Sequence, residues 1–267
     1  MNVIPSHHGS NDGPVTPPPI PSSCAYTRCY CEENIYLLAD ALGRHPDVAS
    51  QDPRTPSLWD PYVVFISNHQ KTHQRTRVLR EKYTRADGLW ARQAALWHQK
   101  AAEGPVVWDY HVVLVLRPRA RASRGGETAA SCWVYDRDSR CALPSTARDY
   151  MGQTFPYACA DGGAIPERYV SLFRVVPAEE YLDNFVSDRS HMGADAAYAA
   201  PPPPYPPLRG RRVTDDTLQT NLMSSFVAMG AQSEGASGAP AADIKEAQTY
   251  GEVLGMSEFL AWLWLVA

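Results

Sequence analysis

The run Val106 to Leu116 (VVWDYHVVLVL) constrains the fold of this chain more than any other stretch. It is apolar at odd and even positions alike, and the side chains of a strand alternate between the two faces of its sheet. Such a strand has to be covered on both sides, which places it at the centre of a sheet. Asp109 and His111 interrupt it, and a period of two sets them on one face. Tyr62 to Ser67 (YVVFIS), Ser131 to Asp136 (SCWVYD) and Arg168 to Val176 (RYVSLFRVV) have strand composition as well. Helical spacing appears in Asn34 to Leu42 (NIYLLADAL), where Ile35, Leu38 and Leu42 share a face. Helix-like composition recurs in Ala178 to Val186 and in the closing Ser257 to Leu265, expected to dock its Leu and Trp side chains on the body.

The loop between the central strand and Ser131–Asp136 contains Gly125-Gly126. If the two strands pair antiparallel about a turn centred near Ser123-Arg124, His111 falls opposite Asp136. Directly opposed residues share a face, with Cβ atoms about 5 Å apart. Burying either polar group without a partner would be costly. Upstream, Cys29-Tyr30-Cys31-Glu32-Glu33-Asn34 stands where an irregular leader gives way to the first helix. Unpaired N–H groups and the positive end of the macrodipole favour a thiolate at that place. Position alone leaves either thiol open as a nucleophile, and a structural cysteine could sit there too. Cys31, His111 and Asp136 nevertheless supply what cysteine chemistry needs: a thiol, an imidazole to move its proton, and an acceptor that fixes the imidazole tautomer. A metal centre would compete for Cys24, Cys29, Cys31, Cys132, Cys141 and His111. Neither a C-x-x-C pair nor a matching second pair is present, so no metal is expected. No P-loop or G-x-G-x-x-G run occurs, and no cofactor is expected.

A net charge of -4 and a pI near 6.1 give no case for nucleic acid or an anionic membrane. Lys71, Arg75, Arg77, Arg80 and Lys82 therefore read as a solvated face or an inserted loop. The apolar close, Phe259 to Ala267, is far short of the roughly 20 residues a membrane span needs. Six cysteines without an apolar leader segment suggest reduced thiols in a cytoplasmic or nuclear setting. Residues 1–23 are Pro-, Ser- and Gly-rich and are expected to be disordered. Asn68 to Glu103 has helical composition, with Trp90, Ala94 and Trp97 as an apolar stripe beside Leu89 and Leu96. Pro201 to Pro207 (PPPPYPP) reads as polyproline II, a rigid connector before an SH3 or WW ligand. Leu218 to Met229 is fold-like, and a flexible insertion is expected at about 230–246.

CYCEEN before a helix, VVFISN, GPVVWDYHVVLV, VYD, FRVV with YLDNFVSDRSHM, and PPPPYP together closely resemble the protein N-terminal glutamine amidohydrolase family. The resemblance runs from about Cys24 to Pro207 and returns weakly in TNLMSSFVAM and MSEF. It implies an α/β fold of the α+β type: a single domain over residues 24–267 with a central, mostly antiparallel sheet, similar to the papain and transglutaminase group. It further implies Cys31 as nucleophile, His111 as base and Asp136 as orienter. Cys29 then reads as structural, because residues two apart do not share a helix face. The activity implied is deamidation of N-terminal Gln to Glu, feeding arginylation and degradation; the sequence itself suggests no obligate partner, so a monomer is expected, in the cytoplasm and nucleus. The substrate's α-ammonium would need an acceptor, and Glu32, Glu33 and Asp109 are the nearby acids. A papain-like protease or transglutaminase would use the same trio on internal residues, and an inactive reader would bind N-terminal Gln without releasing ammonia.

Overall fold

The structure is a computed structural model that describes residues 16–50, 56–68, 94–101, 103–104, 106–119, 131–158, 170–189, 200–230 and 248–264. The expectations for residues 1–15, the basic cluster within 71–82, the Gly125-Gly126 loop and the insertion from 231 onward lie outside these.

Two long strands make the centre. β1 (Trp59–Ser67) and β4 (His111–Pro118) pair antiparallel from Trp59↔Pro118 to Ile66↔His111. Around them stand β5 (Trp133–Tyr135), β6 (Ser145–Thr146), β7 (Leu172–Pro177) and β8 (Glu252–Leu254). The order is β6-β5-β4-β1-β7-β8, and every described pairing is antiparallel. Helix and strand are mixed around one main sheet, as an α+β chain requires.

The doubly apolar sequence of the central strands is explained by what covers them. Val63, Phe65, Val112, Leu114 and Leu116 face α1 (Cys31–Leu42) and α3 (Ala178–Asn184), with Phe226 of the wide turn Leu222–Val227. Val64, Ile66, Val113, Val115 and Val134 face the other way, onto α2 (Ala147–Thr154), Phe155 and α4 (Met256–Trp264). Each such side chain contributes about 1.5–3 kcal/mol by leaving water. α4 docks Phe259 and Leu263; Trp262 packs at the rim, while Trp264 is 44% exposed. Trp264 is the more loosely docked of the two, with Arg148 of α2 over its ring at 5.5 Å.

The sequence VVWDYHVVLVL does not form a single strand. β3 (Val106–Trp108) belongs to a separate ribbon with β2 (Ala94–Leu96), and the chain turns at Asp109-Tyr110 before β4 begins. The Asp109 carbonyl has left the ladder and accepts from Ser67 Oγ at 2.7 Å. Asp109 and His111 accordingly do not sit on one face of one strand. The helical stripe expected through Ala94 and Trp97 is also corrected. Ala94 pairs with Trp108 and Leu96 with Val106, and Trp97 N–H donates to Thr154 at 2.9 Å. Residues with fair helix propensity are drawn into a ribbon because tertiary pairing outweighs it.

α1 begins without a side-chain N-cap. Its entry is instead fixed by Asn34, which reaches back to Thr27 with two backbone bonds of 2.8 and 2.7 Å. That clamp holds Cys29 at φ 68° in the turn before the helix, a left-handed geometry costing on the order of 1–3 kcal/mol. Downstream, buried Arg174 of β7 donates to the Ala228 and Tyr250 carbonyls, so one guanidinium ties the end of the wide turn Leu222–Val227 to the approach to β8. The proline run is also anchored: Pro203 is buried, and Arg189 donates to Tyr205 O at 2.9 Å.

Candidate active site

Three elements meet where β4 starts. Cys31 is the first residue of α1, His111 the first of β4, and Asp136 follows the last residue of β5. The observed register pairs Leu114 with Tyr135 and Leu116 with Trp133, two residues away from the register expected from the sequence. A shift of two preserves the face. His111 and Asp136 are therefore diagonal neighbours, and long side chains reach across that spacing. His111 Nε2 lies 2.9 Å from Asp136 Oδ1, both side chains almost fully buried. The contact was legible although its register was not.

Cys31 is half-buried, and its sulfur accepts a hydrogen bond from the Val112 N–H, the residue after His111. The bond lies two residues beyond the last described β4–β5 pair, which brings the thiol to the end of the strand carrying the imidazole. Burial pushes the Cys31 thiol well above its usual range, the charges of Glu32 and Asp138 push the same way, and the Val112 N–H opposes them. The resting group is a thiol. The thiolate expected from helix position is outweighed by burial and by the neighbouring acids.

For His111, burial acts to lower the pKa, but the charge and hydrogen bond of Asp136, with Asp138 and Glu32 adding, raise it above 6.5. For Asp136, burial acts upward; the His111 charge and bond, the Asp138 N–H and the Tyr150 hydroxyl hold it below its ordinary value. Asp136 is satisfied on both oxygens. Oδ1 also accepts from Asp138 N–H at 2.9 Å, and Oδ2 accepts from Tyr150 Oη at 2.9 Å and Gln99 Nε2 at 3.4 Å. The indole of Trp108 stacks on His111, centroids 5.9 Å apart at 19°. His111, Asp136 and Asp138 could bring three ligand atoms within 4.8 Å, yet the bonds of Asp136 already turn that carboxylate to the imidazole.

Gln99, Trp108, Asp138 and Tyr150 were not singled out from the sequence. Trp108 had a signal in its place within WDYH; Tyr150 and Gln99 had none.

The three nearby acids part ways. Glu32 is fully buried beside the thiol, which donates to its Oε2 at 3.5 Å. Burial pushes its pKa to about 7, with the Glu33 charge adding. Glu33, also fully buried, is held by Arg189 at 2.7 and 2.6 Å and by the Ser187 hydroxyl. Asp109 is half-buried at the turn between β3 and β4.

A family model described as N-terminal glutamine amidase matches residues 26–90 and 88–263, spans that include Cys31, His111 and Asp136. The chain is similar to the human protein N-terminal glutamine amidohydrolase, 35% identical over 194 residues, covering 72% of this chain and 74% of the relative. It is similar to the protein of that name from Drosophila grimshawi, at 31% over 214 residues, 79% of this chain and 81% of the relative. The Drosophila melanogaster counterpart is 33% identical over 191 residues, 70% and 73% of the two chains. With the matched spans running through all three elements of the site, the chain belongs to the N-terminal glutamine amidase family.

Proposed function

We propose that the protein hydrolyses the side-chain amide of an N-terminal Gln to give Glu and ammonia, with Cys31 as nucleophile. The observation that carries this reading is the buried His111–Asp136 pair at the strand end where the Val112 N–H holds the Cys31 sulfur. Nε2 is taken by Asp136, so Nδ1 is the ring atom left to exchange a proton with the thiol. Cys31 gives its proton to His111 and attacks the Cδ carbonyl. Backbone N–H groups at the start of α1, which no side chain caps, stabilise the oxyanion. His111 returns the proton to the departing ammonia, leaving a γ-glutamyl thioester. The same imidazole then activates water to release the acid. Asp136 fixes the tautomer and stabilises the imidazolium between these steps.

The thiol is the favoured resting state, so the proton moves as substrate enters and water leaves. The helix start facing two sheet residues resembles the papain and transglutaminase arrangement named above. The product, an N-terminal Glu, suits an arginyl-transfer step of protein degradation, in the cytoplasm and nucleus. No helix among the described residues is long and apolar enough to cross a membrane.

The test is ammonia release from a peptide beginning with Gln. Cys31→Ala should reduce it to background, and release at the unmodified rate would refute the assignment. Peptides beginning with acetyl-Gln should be inert; their turnover would point to a protease- or transglutaminase-like enzyme instead.

A further inference from the structure

Glu32 is a buried acid that this scheme leaves unused. Its Oε2 accepts the Cys31 thiol at 3.5 Å, and its own backbone N–H and the Tyr110 hydroxyl are also bonded to the carboxyl. Oε1 is buried and has no hydrogen-bond partner among the described residues. The nearby cations are committed elsewhere. Arg189 is spent on Glu33, and Arg137 donates to the Cys24 and Ala25 carbonyls while lying over the Tyr26 ring. His111 is matched by Asp136. Glu32 is thus a carboxyl group with one unsatisfied oxygen in a site short of positive charge among the described residues, a costly arrangement unless a ligand completes it.

We infer that Glu32 is the acceptor for the α-ammonium of the substrate's first residue. This rests on the activity proposed above and names the group that reads a free N-terminus. The distances allow it. The α-nitrogen and Cδ of a glutamine are four bonds apart, so at most about 5 Å, and the attacked carbon stands about 3–3.5 Å from the nucleophile. With Glu32 Oε2 3.5 Å from Sγ, one glutamine spans both groups. Glu33 is excluded because Arg189 and Ser187 already fill it. An acetylated or internal glutamine has no cation to offer, and it would bring further chain against this buried wall. The bound ammonium also cancels the Glu32 charge, one of the causes opposing the Cys31 thiolate. The substrate with a free amine therefore helps to activate the nucleophile that attacks it.

The test is titration calorimetry in a Cys31→Ala background with three peptides of one sequence. They begin with Gln, with acetyl-Gln, or with a 4-carbamoylbutanoyl cap that keeps the amide and lacks the amine. The Gln peptide should bind roughly 10- to 100-fold more tightly than the other two, the range for a charge-assisted bond. Adding Glu32→Gln should abolish this preference and leave the capped peptide's affinity unchanged. Glu32→Asp, which keeps the charge, should restore most of the preference. A preference that survives Glu32→Gln, or a parallel loss for all three peptides, would overturn the inference. Failure of the unmodified protein to release ammonia would sink the proposed activity, while the titrations would still decide what Glu32 binds.

Discussion

Replacing Arg189 by alanine should strand a carboxylate inside the protein. Glu33 is wholly buried, and two of its contacts are the Arg189 Nε at 2.7 Å and Nη2 at 2.6 Å. The arginine side chain is itself only 13% exposed, so water would not readily replace it. Breaking such a pair from one side costs about 3–5 kcal/mol. Arg189 also donates to Tyr205 O and lies over the Tyr30 and Tyr205 rings at 5.7 and 5.3 Å, which places the loss toward the upper end, about 4–5 kcal/mol. At about 2–4 °C per kcal/mol for a chain of this size, Tm should fall by roughly 8–20 °C. Urea unfolding followed by circular dichroism reads the loss directly. Glu33→Gln combined with Arg189→Met, which removes both charges, should be less damaged than Arg189→Ala alone. A single-variant loss below about 1 kcal/mol, or losses that simply add in the double variant, would refute the reasoning.

Tyr150→Phe removes one donor to Asp136 Oδ2. A net bond of about 1–1.5 kcal/mol corresponds to a fall in kcat of roughly tenfold with KM little changed. The carboxylate becomes more basic, so the acid limb of the kcat/KM profile should move to higher pH; a lower kcat with an unmoved limb would indicate mere loosening. The His111–Asp136 pair also sets a pH dependence of stability. His111 is raised above 6.5 in the folded state, so its contribution is full below 6.5 and is lost as pH rises through the folded value. Asp136 is lowered from 3.8, so its contribution is present above 3.8 and is lost as pH falls through the folded value. The stability difference between the unmodified protein and Asp136→Asn should be largest between these limits and shrink in alkali. A difference that stays level into alkali, by urea unfolding across pH, would contradict it.

What could be read in the sequence and what could not have separate physical causes. The apolar periods of β1, β4 and α1 announced their burial directly, because a chain pays for hydrating such surfaces wherever it goes. The His111–Asp136 contact was legible since two polar groups in apolar strands must find each other, and a slip of two keeps them on one face. The turn at Asp109-Tyr110 left no such mark. Trp108 and His111 look like members of one apolar run, and only the partners of β3 and β4 separate them into two sheets. Leu96 and Trp97 fitted a helical stripe and an extended ribbon equally well. Gln99 and Tyr150 are joined to Asp136 through tertiary approach alone, which spacing does not encode. Glu32 and Glu33 are adjacent and alike on paper, and only Ser187 and Arg189, far downstream, set them apart.

The β2–β3 ribbon has a role beyond shelter. Gln99, just after β2, donates to Asp136, and Trp108 of β3 stacks on His111. The ribbon, with three residues in each strand, and the segment that leaves β2 thus support both halves of the charged pair. A lone two-stranded ribbon is only marginally stable, and elements with few contacts open at lower free energy than a six-stranded core. Warming should therefore unseat the ribbon first. The enzyme's working range would end at that local opening, with the large sheet still folded around a mute pair of side chains.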